Sequence, residues 1–303
     1  MASEGGTKAI IAALIANVGI SIAKFVGWGF TGSSAMLAEG IHSFADSGNQ
    51  MLLLLGGRWA KRPADDIHQF GYGRERFFWA FIVSLILFSL GSVFSLYEGI
   101  HKLVNPHKPE NLIVALIILA VAILLEGYSF ITAWKEANKL RGNYSLWEFI
   151  HITRNPELPV VLLEDSGALV GLVIAFISVL LSELVNPVFD AIGTICIGLL
   201  LGAIAIFLAV ETKSMLIGEG ASEQEATMIR KVIDLEPGIV KLLNMRTLHT
   251  APEEFMLAIK VEMDSTLSYA EVADQVNALE MKIREVVPHA RYIFIEPGLD
   301  GQG

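Results

Sequence analysis

The run "AEGIHSFADSGNQMLLLL", residues 38–55, sets an imidazole at His42 and a carboxylate at Asp46 among the small and apolar residues of a membrane helix. Residues four apart on an α-helix share a face, so the two side chains project toward one point. A charged group at the bilayer centre costs about 2.5–3.5 kcal/mol on insertion scales, which makes an intramembrane ionisable pair a functional candidate by default. A divalent cation held between the two would offset that cost. Imidazole nitrogen with carboxylate oxygen suits zinc, and less exclusively manganese, iron or cobalt.

The rest of the chain supports a membrane setting. Of 303 residues, 53% are hydrophobic and only 18% charged, and the mean hydropathy is +0.54, a profile outside that of ordinary soluble domains. A span needs roughly 20 mostly apolar residues, and six segments qualify, at about 8–30, 35–57, 77–100, 111–134, 159–182 and 187–210. Residues 1–210 are therefore expected to form an all-α six-helix transmembrane domain. Cys196, alone in the sixth segment, excludes an intrachain disulfide and a multi-cysteine zinc site and reads as a small buried hydrophobe. Arg58, Lys61, Arg62, Arg74 and Arg76 follow the second span, and Lys135, Lys139, Arg141 and Arg154 follow the fourth. The alternate loops carry little beyond Lys102 and Lys108, so the positive-inside rule places both termini in the cytoplasm.

Hydropathy drops after Glu211, and residues 211–303 read as a separate domain. "SEQE" at 222–225 and "SYAE" at 268–271 have capping-box spacing and predict helices to about Leu235 and Val286. "VKLLNMRTLHT" and "EFMLAIKVEM" predict two strands turning at Ala251–Glu254, and "ARYIFIE" a third. The order αββαβ suggests a small α+β domain of ferredoxin-like type, with an antiparallel sheet and helices on one face. From residue 210 onward 16 Asp and Glu face 9 Lys and Arg, which supplies 7 of the chain's 10 net negative charges and argues against nucleic acid as a partner.

The second group of buried acids lies in the fifth segment, "VVLLEDSGALVG", at Glu164 and Asp165. Adjacent helix positions diverge by about 100°, so only one of the two can point squarely at His42 and Asp46. "GALVG" there and "GLLLG" in the sixth segment permit close helix approach. No H-E-x-x-H occurs, which removes the commonest intramembrane metalloprotease reading and leaves no enzyme signature. "YSLWEFIHIT" at 144–153, with one apolar helical face, reads as an interfacial helix, and "FGYGRER" as a turn with Arg74 and Arg76 at the lipid headgroups.

"TGSSAMLAEGIHSFADSGNQ", the following "DDIHQFGYGRER", six spans and an αββαβ tail together resemble the cation diffusion facilitator family of metal/proton antiporters. In that family the transport site takes two ligands four apart in span 2 and two four apart in span 5. His42 and Asp46 match the first pair and Asp165 the later member of the second, while the earlier member falls at Val161, which cannot ligate. Glu164, Asn49 or water would fill the vacancy. The family's loop site, of Asp, His and His, is matched by Asp65 and His68, with Tyr72 at the second His. Its histidine-rich tail site is eroded, with Leu243 and Lys260 at matching positions and His249 isolated as a surface or strand residue. "LIGEGAS" at 216–222 and "LLEDS" look most like the branch that includes a mitochondrial zinc transporter.

The resemblance implies a homodimer in a lipid bilayer, here a bacterial inner membrane or alternatively an organelle membrane, that exports a divalent metal in exchange for protons. Zinc is the foremost substrate and Mn2+, Fe2+ or Co2+ the alternatives. The competing reading is a non-transporting membrane scaffold whose acidic tail recruits partners.

Overall fold

The computed structural model describes residues 2–106, 111–142, 144–153 and 156–298. Lys108 and Arg154, and the side chains of Trp147 and His151, lie outside the described residues. The chain divides into two compact units, Met1–Arg58 with Arg76–Lys213, and Trp59–Glu75 with Ser214–Gly303.

The first unit is built from helices: α1 (Ala2–Thr31), α2 (Ser34–Trp59), α3 (Glu75–Ile86) running through a π-helical stretch (Leu87–Val93) into α4 (Phe94–Val104), α5 (Leu112–Leu140), the short α6 (Leu146–Ile152), α7 (Glu157–Leu184) and α8 (Val188–Ile217). Four helical segments among the described residues, Glu75–Val104, Leu112–Lys139, Glu157–Leu184 and Val188–Ile217, are long and apolar enough to cross a membrane. The second expected span forms α2, whose apolar run is diluted by Glu39, His42, Asp46, Asn49 and Gln50. The first forms most of α1, where the side chains of the opening turns are not among those described.

These helices pack through Met36 and Leu53 of α2, Ala80 and Val83 of α3, Leu119 of α5, Leu172 and Val179 of α7, and Ile197 and Leu201 of α8, all buried. Their outer faces carry exposed large apolar side chains such as Leu124 and Leu199, as a lipid-facing surface requires. The widened turn at Leu87–Val93 brings Ser92 against Gly202, where a methyl group would lie 2.6 Å from its Oγ. Cys196 is exposed on α8, so the expected buried position is corrected: it falls on an outward face of that helix.

α6 starts at a Ser145–Glu148 capping box, Ser145 Oγ accepting from Glu148 N–H at 3.2 Å. Phe149 and Ile150 are buried with Ala137 and Leu162. The apolar face expected to rest on the membrane surface is thus turned onto α5 and α7, which bury it more fully than an interface would.

The second unit holds α9 (Glu223–Asp234), β1 (Ile239–Ala251), β2 (Glu254–Met263), α10 (Tyr269–Val286) and β3 (Ala290–Gly298). Both predicted capping boxes are formed, at Ser222–Glu225 and Ser268–Glu271. β2 alternates strictly, burying Phe255, Leu257, Ile259, Val261 and Met263 against Ile229 and Ile233 of α9 and Leu279 and Ile283 of α10. The sheet order is β1-β2-β3, with β1 and β2 antiparallel but β2 and β3 parallel. The antiparallel expectation is therefore corrected. α10 carries the chain back across the sheet between β2 and β3, and a helical crossover returns a strand in the same direction.

Residues 59–75 belong to this second unit. Arg74 Nη2 donates to the His249 carbonyl at 3.3 Å, and Phe70 packs edge-on against Tyr292 with ring centroids 5.0 Å apart. Within the helical unit Arg76 pairs with Glu157 at 3.5 Å. The two arginines expected at lipid headgroups have protein partners instead, because folded acceptors lie within reach of both.

Candidate metal site

α2 begins where Ser33 Oγ accepts from Met36 N–H at 3.3 Å, the geometry of an N-cap. From there Glu39, His42, Ser43 and Asp46 recur at i, i+3, i+4 and i+7 and form one polar stripe, continued a turn later by Asn49 and Gln50. His42 is fully buried, and Asp46 and Asn49 are buried beside it. His42 Nδ1 lies 3.4 Å from Asp46 Oδ1. That approach is close enough to share a small cation, yet neither atom makes a hydrogen bond. His42 Nε2, Asn49 Oδ1 and Gln50 Oε1 are likewise buried without a hydrogen-bond partner. A buried polar group left in this state costs roughly 1–3 kcal/mol, so a cluster of them on one helix face makes this stripe the candidate site.

The opposing carboxylates come from α7. Glu164 Oε1 accepts from Asn49 Nδ2 of α2 at 2.8 Å, whereas Asp165 Oδ2 accepts from Ser129 Oγ of α5 at 2.9 Å. The two neighbours diverge as helical geometry demands, Glu164 toward α2 and Asp165 toward α5. Val161, one turn before Asp165, packs against the apolar core. His42 with Asp46, and Asn49 with Glu164, are thus brought into contact, while Asp165 sits on the α5 side. Among the described residues no three His, Cys, Asp or Glu side chains stand close enough together to hold a metal ion.

Three buried ionisable residues around this stripe, Glu39, Glu126 and Lys24, escaped the sequence reading. Glu126 of α5 lies one turn before Ser129 and interacts electrostatically with Asp46 and Asp165. Lys24 of α1, also fully buried, donates to Glu39 Oε2 at 3.1 Å and to Ser43 Oγ at 2.6 Å. The available signal was an ionisable residue set inside an apolar segment: Lys24 in the first, Glu126 in the fourth, and Glu39 beside His42 and Asp46 in the second. Gly171 of "GALVG" receives the Glu39 carboxylate, since a methyl group there would lie 2.6 Å from Glu39 Oε1. Its companion Gly167 makes room for Ile204 of α8.

The loop residues are organised differently. Asp65 Oδ1 accepts from the backbone N–H groups of Ile67 and His68 at 3.0 and 2.6 Å, and Tyr72 Oη donates to Asp65 Oδ2 at 2.6 Å. His68 Nδ1 stands 3.6 Å from Asp65 Oδ1, and its ring lies over Tyr72 with centroids 4.4 Å apart. The Tyr72 hydroxyl, with help from the His68 and Ile67 amides, holds the Asp65 carboxyl below its ordinary range. A tyrosine hydrogen bond closes this loop across its exposed carboxylate. In the tail, His249 is a strand residue, buried in β1, whose ring packs on Phe255 and whose Nδ1 lies 3.3 Å from the Ala251 carbonyl. Lys260 pairs with Glu296 at 3.2 Å.

Residues 10–217 match the family profile described as the cation efflux transmembrane domain. Over 292 residues the chain is 30% identical to the mitochondrial proton-coupled zinc antiporter SLC30A9 of Xenopus laevis, covering 94% of this chain and 52% of that protein. It is 29% identical over 263 residues to metal tolerance protein C4 of Arabidopsis thaliana, covering 86% and 58%. To the cation-efflux pump FieF of Pectobacterium atrosepticum it is 25% identical over 293 residues, covering 95% and 91%. The chain thus spans little more than half the length of the first two relatives and nearly all of the third.

Proposed function

Because the chain belongs to the cation efflux family, whose members are transporters and not enzymes, we propose that it is an integral membrane exporter of divalent metal cations, zinc foremost, driven by exchange for protons. The observation that carries this reading is the pair His42 and Asp46, buried on α2 with both ring nitrogens and one carboxylate oxygen lacking hydrogen bonds. Such atoms are costly unless a ligand completes them.

In this reading the metal is taken by His42 and Asp46 from α2 and by Asp165 from α7, with Glu164 and Asn49 able to complete the coordination. Ligands must be deprotonated to bind, so metal entry expels protons and metal exit lets them return; exchange follows from the shared atoms without a separate proton path. Alternating exposure then needs α2 and α7 to open toward each side in turn. The loop pair Asp65 and His68 plays no part in transport, its carboxylate being committed to Tyr72 and the backbone. The chain works as a homodimer in a bacterial inner membrane with six spans and both termini cytoplasmic. The acidic α+β domain from residue 211 contributes dimer contact and stability.

The test is uptake by sealed proteoliposomes containing the purified full chain, with a pH gradient imposed and then collapsed. Zinc uptake that saturates, follows the gradient and exceeds that of Mn2+, Fe2+ and Co2+ supports the proposal. Absence of gradient-dependent uptake for all four metals would overturn it.

A further inference from the structure

Lys24 places the positive end of a buried ion pair on the same stripe of α2 that carries His42 and Asp46. Its ammonium is bound by Glu39 and Ser43, at positions i−3 and i+1 from His42. Asp46 follows Ser43 by three, so less than one helical turn, about 5 Å of axial rise, separates the Ser43 anchor from the Asp46 carboxylate. The field of the ammonium reaches His42, Asp46 and Glu126. Three buried carboxylates, Glu39, Asp46 and Glu126, interact with this one lysine, and Glu164 and Asp165 act in turn on Asp46. Glu39 spends only one oxygen on the pair, for Oε1 is buried against Gly171 without a hydrogen-bond partner.

A pair serving only to join α1 to α2 could lie at any depth and would gain from using both carboxylate oxygens. Here the cation is instead set into the negative field that a divalent metal would enter. We propose that Lys24 is a tethered counter-cation that sets the metal affinity of the His42–Asp46 site. It partly neutralises the carboxylates when metal is absent, and it repels the ion when metal is present, so that the metal leaves fast enough for turnover. The proposal rests on the transport reading above and adds to it the residue that keeps binding from becoming too tight.

Charge arithmetic gives a signature that a simple helix staple lacks. Lys24→Gln removes the repulsion and exposes Glu39, and so should bind zinc at least about tenfold more tightly than wild type, with a lower KM and a lower turnover in proteoliposomes. Glu39→Gln leaves the ammonium uncompensated and should weaken zinc binding by a similar factor. The double variant should return toward the wild-type affinity, and Lys24→Arg should stay close to it. A staple predicts weakening, of the same sign, for both single variants.

The measurement is zinc titration of the full-length detergent-solubilised protein by calorimetry, paired with proteoliposome uptake. Should Lys24→Gln alone fail to fold, Glu39→Gln is compared with Lys24→Gln/Glu39→Gln, in which no anion is left unpaired, and the double variant should bind about tenfold tighter. Equal or weaker binding for the variant that lacks Lys24 overturns the proposal while leaving the transport reading intact. Failure of the wild-type chain itself to bind or move any of the four metals overturns both.

Discussion

Lys102 Nζ donates to Asp190 Oδ2 at 2.7 Å, and both side chains are withdrawn from solvent, one on α4 and the other at the start of α8. The pair is closed on every side. Lys102 also donates to the Gly32 carbonyl at 2.8 Å, Ser33 Oγ donates to Asp190 Oδ1 at 2.7 Å, and the Ser34 amide donates to Asp190 Oδ2 at 2.9 Å. One lysine, read from the sequence as a loop residue, thereby locks the α1–α2 turn to α4 and α8. Breaking a buried pair of this kind by removing one partner costs about 3–5 kcal/mol, because it strands the other charge. Lys102→Met should therefore lower the melting temperature of the detergent-solubilised protein sharply. Lys102→Met with Asp190→Asn should recover most of the loss; an equal or larger loss in the double variant would show that the pair acts through packing alone.

The proposed metal site should show the opposite trade. Both ring nitrogens of His42 are buried without a hydrogen-bond partner, so His42→Met, apolar and of similar bulk, should abolish saturable zinc uptake while raising the stability measured in chelator by about 1 kcal/mol. Melting in chelator and transport in vesicles measure the two effects separately. Loss of uptake accompanied by loss of stability would mean that the histidine is a structural member of the helix packing.

Glu164 and Asp165 can be separated by amide replacement. The amide oxygen of Glu164→Gln can still accept from Asn49, and that of Asp165→Asn from Ser129, so each substitution removes ligand charge and leaves the observed hydrogen bond in place. Asp165→Asn should be as damaging to zinc uptake as Asp46→Asn. Glu164→Gln should raise KM and retain transport. The reverse ranking would make the carboxylate on the α2 side the ligand.

The contrast between these residues shows what a linear sequence exposes. His42 and Asp46 were legible because both lie on one helix at i and i+4, where spacing alone defines the geometry. The same holds for the capping boxes that start α9 and α10 and for the alternation of β2. Lys24, Glu39 and Glu126 were not legible as a set, since their meeting depends on the rotations of three separate helices. Parallel pairing of β3 with β2 is set by how α10 crosses the sheet, and the association of residues 59–75 with the tail is a contact across some 175 positions, as in Arg74 with His249. Glu164 pointing to α2 and Asp165 to α5 follows from a helix phase that periodicity cannot assign in a segment apolar on all sides.

The loop gives a pH prediction with a definite sign. The Tyr72 hydroxyl holds the exposed Asp65 carboxyl below its ordinary range, so the loop contact favours the folded state above that range and is lost as pH falls through the lowered value. Tyr72→Phe removes the largest cause, and the acid transition of the loop should move up toward the ordinary carboxylate pKa of about 4. The readout is the pH dependence of the Asp65 carboxyl resonance by NMR in wild type and variant. An unchanged midpoint would assign the depression to the backbone amides of His68 and Ile67.

The tail offers the last test. Its core is apolar from both sides: Phe255, Leu257, Ile259 and Val261 of β2 are buried against Ile229, Ile233, Leu279 and Ile283. The buried histidine beside it, His249, is occupied in β1 by Phe255 and by the Ala251 carbonyl. A fold held in this way needs no metal. A fragment of residues 214–303 should melt cooperatively at nearly the same temperature in zinc and in chelator, whereas a ligand binding the native state would raise the midpoint in proportion to RT ln(1 + [L]/Kd). Leu257→Ala, which opens a cavity at the centre of that face, should cost about 2–5 kcal/mol and lower the midpoint in both solutions alike. A saturable zinc-dependent rise in the midpoint, removed by His249→Ala, would instead make the domain a metal sensor.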